Sequence, residues 1–436
     1  MSGIRVAGEF AREKGGEIAM RRSVLVLGGG VIGLSSAYYA ARSGCEVTVV
    51  ERASADRDGC SFGNAGMVVP SHFIPLAAPG MVALGLKWMW NPESPFYIKP
   101  RLDWELMDWA WKFWRASTSA HVRRSAPLLR DLSMASRACF EELSELSGNT
   151  FDLVKKGLLM LCQSQETLEH EGTTAEQARA LGIPAEVLNT AQTAALDPAV
   201  RMQIAGAIYF PNDCHLSPNR FMARLQELAE KGGVRFLWET DVTGWKRSAE
   251  RIDAVVTTQG SLAADEFVLC GGSWSAGMAK GLGLILPMQA GKGYSLTLPN
   301  PPQLPQICAI LTEARVAATP MGSALRFGGT MELAGLNEAI NPLRVQGIIK
   351  AVSKYYPEFT AADFEGVQPW RGLRPCSPDG LPYLGRTNLY KNLIVATGHA
   401  MMGLSLGPVT GKLVAEMATE GRPSLPLDLL APDRFA

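Results

Sequence analysis

The chain alternates between two hydrophobic rhythms. "VLVL", Val24 to Leu27, is a short unbroken apolar run, suited to a central parallel strand covered on both faces. A glycine turn follows, then a small-residue stretch predicted to be a helix over Leu34–Ser43. Gly44 ends it, and the next strand is "CEVTVVE". "APLLRDLSMASRACFEELSEL" carries apolar residues at three- and four-residue spacing and reads as a long amphipathic helix. "SPNRFMARLQELAEKGG" reads as a second helix. Ser217 caps it, Pro218 takes the first turn, Phe221, Leu225 and Leu228 line one face, and Gly232–Gly233 stop it.

Beyond that helix, "VRFLWETDVTGWKR", "IDAVVTTQG" and "DEFVLCGGSWS" predict a strand, a small antiparallel excursion and a return strand. "GKGYSLTL" and "ALRFGGTMEL" alternate like half-buried strands of an antiparallel sheet. "NLIVATGHAMMGLSLGPVTGKLVAEM" closes the chain as strand, glycine turn and helix. The fold class is therefore α/β: a discontinuous Rossmann-like nucleotide domain interleaved with a mixed domain of antiparallel sheet and helices. No internal repeat or low-complexity segment is present.

The glycines after the first strand give that architecture a ligand. Gly28-x-Gly30-x-x-Gly33 lies between strand and helix, where each glycine has its own task. The first makes the tight turn, the second lets backbone amides approach a pyrophosphate, and the third lets helix and strand pack closely. Glu51, at the end of the second strand, is placed to accept both ribose hydroxyls, and an acid there disfavours NADP. The motif alone leaves FAD and NAD open. The polar, glycine-punctuated segment "ASADRDGCSFGNAGMVVP" is expected to be a loop that lies on the cofactor, with Ser61 and the amides of Gly63–Gly66 within reach.

Composition narrows the classes. The 436 residues carry 47% hydrophobic and 19% charged side chains, ordinary for a folded enzyme. Lys+Arg and Asp+Glu are equal at 42 each, so nothing favours a nucleic-acid surface. The eight cysteines contain no C-x-x-C pair and fit a reducing cytosol. The five dispersed histidines make no metal site. Residues 1–20 lack a signal core and are expected to be a disordered leader. Six of the ten tryptophans, Trp88, Trp90, Trp104, Trp109, Trp111 and Trp114, fall in residues 81–114. They form either a cap packed on the core or an interfacial patch touching lipid or a redox partner.

Taken together, "VLVLGGGVIGLSSAYYAA", "AGAIYFPNDCHLSPNRF", "FVLCGGSWS", "PMQAGKGYSLTL", "GLRPCSPDGLPYLG" and the closing glycine-rich segment resemble, in order, the FAD-dependent D-amino-acid oxidase superfamily. "PSHFIPLAAPGMVALGLKWMW" and "TPMGSALRFGGTMELAG" are most similar to the catalytic subunit of bacterial D-amino-acid dehydrogenases. The resemblance spans about residues 22–425. It implies noncovalent FAD held by residues 21–80, 205–284 and 369–430, with 81–204 and 285–368 forming the substrate domain.

By position, the resemblance places Glu51 and Arg52 at the adenosine ribose and Gly28, Gly30, Val31, Ile32 and Gly33 at the pyrophosphate. Val242 would touch the adenine edge. Ser61, Asn64, Ala65, Gly66 and Met67 would flank the flavin, as would Gly398, His399, Met401, Met402, Gly403 and Leu404. Gly271 and Trp274 complete the cofactor set.

Oxidising R–CH(NH3+)–COO− requires the α-hydrogen to face flavin N5, a cation for the carboxylate, and a neutral amine when hydride leaves. A planar arginine suits the carboxylate because it offers two parallel charge-assisted hydrogen bonds. Arg374 in "GLRP" and Arg326 in "ALRFGG" are the candidates. Tyr294 is a candidate hydroxyl for the same carboxylate. His399 is a candidate donor to negative charge on the flavin, and His72 is a candidate wall of the substrate cavity. The expected reaction converts D-amino acids, cyclic ones such as D-proline or hydroxyproline included, to imino or 2-oxo acids. Electrons pass to a quinone or another carrier, and the expected location is cytoplasmic, peripheral at the inner face of the membrane. The alternative is a sarcosine- or glycine-type oxidase that uses O2.

Overall fold

A computed structural model describes residues 21–89, 93–419 and 421–436. The expected leader, residues 1–20, and Trp90 lie outside the described residues.

Two large sheets organise the chain. The first has six strands in the order Tyr383–Arg386, Leu393–Thr397, Glu266–Leu269, Ser23–Leu27, Glu46–Val50, Arg235–Leu237. All neighbours are parallel except the Tyr383–Arg386 edge, which runs antiparallel to Leu393–Thr397. Alternation in the central strand divides two cores, as a pleat requires. Val24 and Val26 pack beneath the helices Val31–Arg42, Pro218–Lys231 and Gly407–Thr419. Leu25 and Leu27 face the small antiparallel sheet of Val242–Arg247, Ile252–Thr257 and Gly260–Leu262. The helix expected from Leu34 begins three residues earlier, at Val31, because the glycine turn already adopts its first helical bonds. Ser217 occupies the expected cap position, yet its hydroxyl makes no capping bond; Pro218 starts that helix.

The second sheet has nine strands. Its main path runs Trp370–Cys376, Gln289–Leu298, Ala324–Leu333, Val316–Met321, Cys308–Leu311, Leu158–Cys162, Gly206–Phe210, Glu186–Asn189. Helix Pro342–Tyr355 covers one face with Ile348 and Val352. Gly206–Phe210 and Trp370–Cys376 fall in segments that sequence patterning gives to the nucleotide domain. Both belong instead to this larger sheet, where backbone pairing decides membership. The consequence is functional, since Trp370–Cys376 carries Arg374.

Residues 126–146 form part of a 29-residue helix, Ser119–Ser147. It starts at Thr118, whose hydroxyl accepts from the His121 amide, and stops at Gly148 in the left-handed region. No helix of the described residues is long and apolar enough to cross a membrane.

Candidate functional site

The two sheets leave between them one continuous cavity of about 1660 Å³. That is well above the range of roughly 300–1,000 Å³ for small-ligand pockets and sized for an extended ligand with a second molecule beside it. Both glycine turns converge on it: Gly28, Gly30, Val31 and Ile32 from the N-terminal unit, and His399 with Met401–Leu404 from the C-terminal return.

At one end stands Glu51. Its Oε2 accepts from the Gly29 amide at 2.6 Å and its Oε1 from the Ala53 amide at 2.9 Å, so the carboxylate is fixed at the strand end. Arg52, Val242, Gly271 and Trp274 line the same end, with the Arg52 guanidinium 3.7 Å from the Trp274 ring centroid. Arg57 was not singled out by the sequence, because it sits in a segment whose composition reads only as loop. It also lines the cavity and donates to the Gly29 carbonyl through Nε at 3.0 Å and Nη2 at 2.8 Å, over the Trp238 ring.

The middle of the cavity fits a pyrophosphate. Gly30 caps helix Val31–Arg42 with no side-chain hydrogen bond, leaving the positive helix end open to an anion. Gly28 has φ +118°, and a Cβ there would lie 2.6 Å from the Cys270 carbonyl oxygen. Gly33 does not line the cavity. A Cβ on it would come within 1.8 Å of the Gly28 oxygen, which makes it the helix–strand packing glycine. Ser61 Oγ accepts from the Val31 amide at 3.0 Å.

Next along the cavity come Ser61, Asn64, Ala65 and Met67, opposite the C-terminal turn. Gly66 (φ +77°) and Gly398 (φ +78°) shape these two turns from behind and do not line the cavity. His399 is buried, and burial depresses its pKa to about 3, so it is neutral. Its Nε2 lies 3.0 Å from the Thr410 hydroxyl, while its Nδ1 has no partner among the described residues. A buried orphan atom at this turn, an uncapped helix end and an anchored ribose-type carboxylate together suit a dinucleotide cofactor. The residues present therefore fit the group.

The far end holds the substrate candidates. Arg374 lines the cavity from strand Trp370–Cys376, its guanidinium laid across Gly293, where a Cβ would be 2.2 Å from Nη2. Its Nη1 donates to the Thr330 carbonyl at 2.6 Å, and no carboxylate pairs with it among the described residues. Thr330 holds φ +64° beside a register shift between the strands, which turns its carbonyl toward Arg374.

Tyr294 also lines the cavity, but its hydroxyl is engaged. It donates to Glu332 Oε2 at 2.8 Å and accepts from the Asn341 amide at 3.2 Å; burial and the Glu332 bond push its pKa up. His72 lines the cavity with its Nδ1 3.0 Å from the Ser71 hydroxyl. Burial, assisted by Arg315, lowers its pKa to about 4.

Arg326 departs from the sequence expectation. It does not line the cavity, and its donors are spent on the Phe62 and Asn64 carbonyls and the Thr297 hydroxyl. Strand alternation points its side chain to the face beneath the loop, so it is not positioned to meet a substrate carboxylate. Cys376 is buried away from the cavity wall, its thiol pushed up to about 12 by burial. The tryptophans divide. Trp109 is buried and donates to the Cys376 carbonyl at 2.9 Å, whereas Trp104, Trp111 and Trp114 are exposed.

Comparison with known proteins gives one consistent picture. The family model described as FAD dependent oxidoreductase matches residues 23–417. A protein of Methylobacterium radiotolerans named D-amino acid dehydrogenase is 35% identical over 419 residues, covering 95% of this chain and 99% of that one. A protein of the same name from Bradyrhizobium diazoefficiens is 34% identical over 422 residues, with the same coverage. Among solved structures, glycine oxidase from Geobacillus kaustophilus superimposes with a TM-score of 0.76 at 24% identity, covering 95% of this chain and 99% of that one. L-proline dehydrogenase from P. horikoshii gives 0.72 at 19% identity, with 95% and 98% covered.

Proposed function

The chain belongs to the FAD dependent oxidoreductase family, with FAD as its cofactor, and we propose that it is a dehydrogenase of D-amino acids, D-proline-like cyclic substrates included. One observation carries the reading: Arg374 presents a guanidinium at the cavity wall with no carboxylate partner among the described residues. With Nη1 anchored on the Thr330 carbonyl, the remaining donors of the guanidinium are matched to an α-carboxylate. The relatives' name adds support for the D-amino-acid class.

Bound FAD supplies the acceptor for two electrons and a hydrogen. The chain's residues supply position and field. Glu51, Arg52 and Val242 would hold the adenosine end, and the helix end at Gly30–Ile32 would hold the pyrophosphate, since the Gly28, Gly29 and Val31 amides already donate to Val50, Glu51 and Ser61. Arg374 takes the substrate carboxylate, and Thr330 fixes the angle of its guanidinium. His399, neutral at working pH, offers a hydrogen-bonding nitrogen without adding a charge. No carboxylate base is needed if the amine enters neutral, because the electron pair on nitrogen assists departure of the α-hydride. The exposed Trp104, Trp111 and Trp114 suit a peripheral membrane contact near a quinone acceptor.

The test is anaerobic mixing with D-amino acids, D-proline among them, followed by reoxidation with either oxygen or a soluble quinone. The dehydrogenase reading expects fast reoxidation by quinone and slow peroxide release. Stoichiometric peroxide at rates matching turnover would support a glycine- or sarcosine-type oxidase instead.

A further inference from the structure

Arg326 is buried, yet no carboxylate meets it among the described residues, and burial alone lowers its pKa, to about 10. The guanidinium is still charged at neutral pH. A buried cation without a counter-charge is costly unless its donors are satisfied. The chain spends it on one short loop. Nη1 donates to the carbonyl of Phe62 at 2.9 Å and to that of Asn64 at 2.8 Å, while Nε donates to the Thr297 hydroxyl at 2.9 Å.

Those two carbonyls fix the direction of two amides. The chain has no cis peptide among the described residues, and in a trans peptide the N–H points opposite to the C=O. With the oxygens of residues 62 and 64 drawn down to Arg326, the N–H groups of Gly63 and Ala65 point away from it, toward the cavity that both residues line. Neither N–H has an acceptor among the described residues. The next amide along the chain, that of Gly66, is by contrast occupied by Asn64 Oδ1 at 2.9 Å.

We propose that Arg326 is a positioning residue for the cofactor: from beneath the loop it holds the Gly63 and Ala65 amides toward the flavin and polarises them, so that negative charge arriving on the flavin during reduction is stabilised. The guanidinium and the two peptide dipoles point the same way, positive toward the cavity. A preorganised array of this kind stabilises developing charge without reorganising when it arrives.

The test needs no amino acid, so its outcome is independent of the substrate assignment. Holoenzyme and the Arg326→Met and Arg326→Lys variants are compared for FAD dissociation constant and for flavin midpoint potential by dye equilibration. Arg326→Met is expected to weaken FAD binding at least tenfold and to lower the potential. Each tenfold lost in preference for reduced over oxidised flavin corresponds to about 30 mV for a two-electron couple. Arg326→Lys keeps the charge but not the fork, and is expected to hold the potential nearer the parent than Met does. A parental potential in Arg326→Met, whatever its FAD affinity, overturns the proposal, as does a Lys variant shifted as far as Met. If circular dichroism finds Arg326→Met unfolded, Arg326→Gln, which keeps a donor and loses the charge, carries the same comparison.

Discussion

Two arginines, both candidates from sequence for one task, divide the work by which way their strands present them. Arg374 faces the cavity across Gly293 and keeps donors free, whereas Arg326 lies on the hidden face and spends its own on carbonyls. Arg374→Met is expected to raise KM for a D-amino acid about 10–100-fold, since a hydrogen bond to a charged group contributes about 1.5–3 kcal/mol. The flavin spectrum should not change, and steady-state kinetics beside an absorbance scan checks both. Arg374→Lys should recover part of the loss, because it keeps the charge without the fork. The residue types at the site were readable from the chain; their direction was not. Period-two alternation shows which residues share a face, but only backbone pairing reveals what that face meets. Arg57 escaped for a related reason: its target, the Gly29 carbonyl, is a backbone atom with no sequence signature.

The elements were mostly legible where glycine spacing or periodicity is strong. Strand, turn and helix at both ends appeared in the expected places, and so did the antiparallel excursion after Arg235. Sheet membership was harder. Gly206–Phe210 and Trp370–Cys376 adjoin nucleotide-domain segments in sequence, and nothing local to either strand names its partner. What joins the two ends is visible in hindsight as two glycines four apart, Gly407 and Gly411. A Cβ on Gly411 would come within 2.3 Å of the Ser35 backbone carbon, and one on Gly407 within 2.7 Å of Val31 Cγ2. Helices Val31–Arg42 and Gly407–Thr419 therefore touch almost backbone to backbone, bringing both turns to the cofactor. Gly411→Leu should cost about 3 kcal/mol or more, as overpacking without room to relax does, and should weaken FAD retention; denaturant melts and gel filtration with flavin detection would reveal it. On helix Trp104–Ala116, the triple change of Trp104, Trp111 and Trp114 to Ser should alter stability little, each within about 0.5 kcal/mol. It should abolish co-sedimentation with anionic lipid vesicles if that face meets a membrane. Undiminished co-sedimentation would remove these residues from the membrane account.

Over the whole molecule, histidines held neutral in the fold lower stability in acid. His72, His215 and His399 are held neutral by burial, with pKa values of about 4, 4 and 3 against 6.5 for the free side chain. As pH falls from 6.5 toward 4 the unfolded chain binds these protons and the native fold does not, so each histidine lowers stability. Asp213 runs the other way: burial raises it to about 7 from 3.8, so the native state holds its proton across that window and it adds stability as pH falls. The histidines outnumber it, and the net effect of these groups is a loss, about 1.4 kcal/mol per pH unit for each uncompensated proton. Melts from pH 7 to 4 should show falling Tm, with a steeper fall in Asp213→Asn. A Tm that rises toward pH 4 would contradict these assignments.

The most direct test of the account is an anaerobic titration of the yellow holoenzyme with the two enantiomers of a single amino acid, run on the parent and on Arg374→Met. The account predicts that the D form bleaches the parent's flavin, that the L form leaves it yellow, and that the variant needs far more of the D form for the same bleaching. Flavin that no amino acid bleaches, or that Arg374→Met reduces as readily as the parent does, would contradict it.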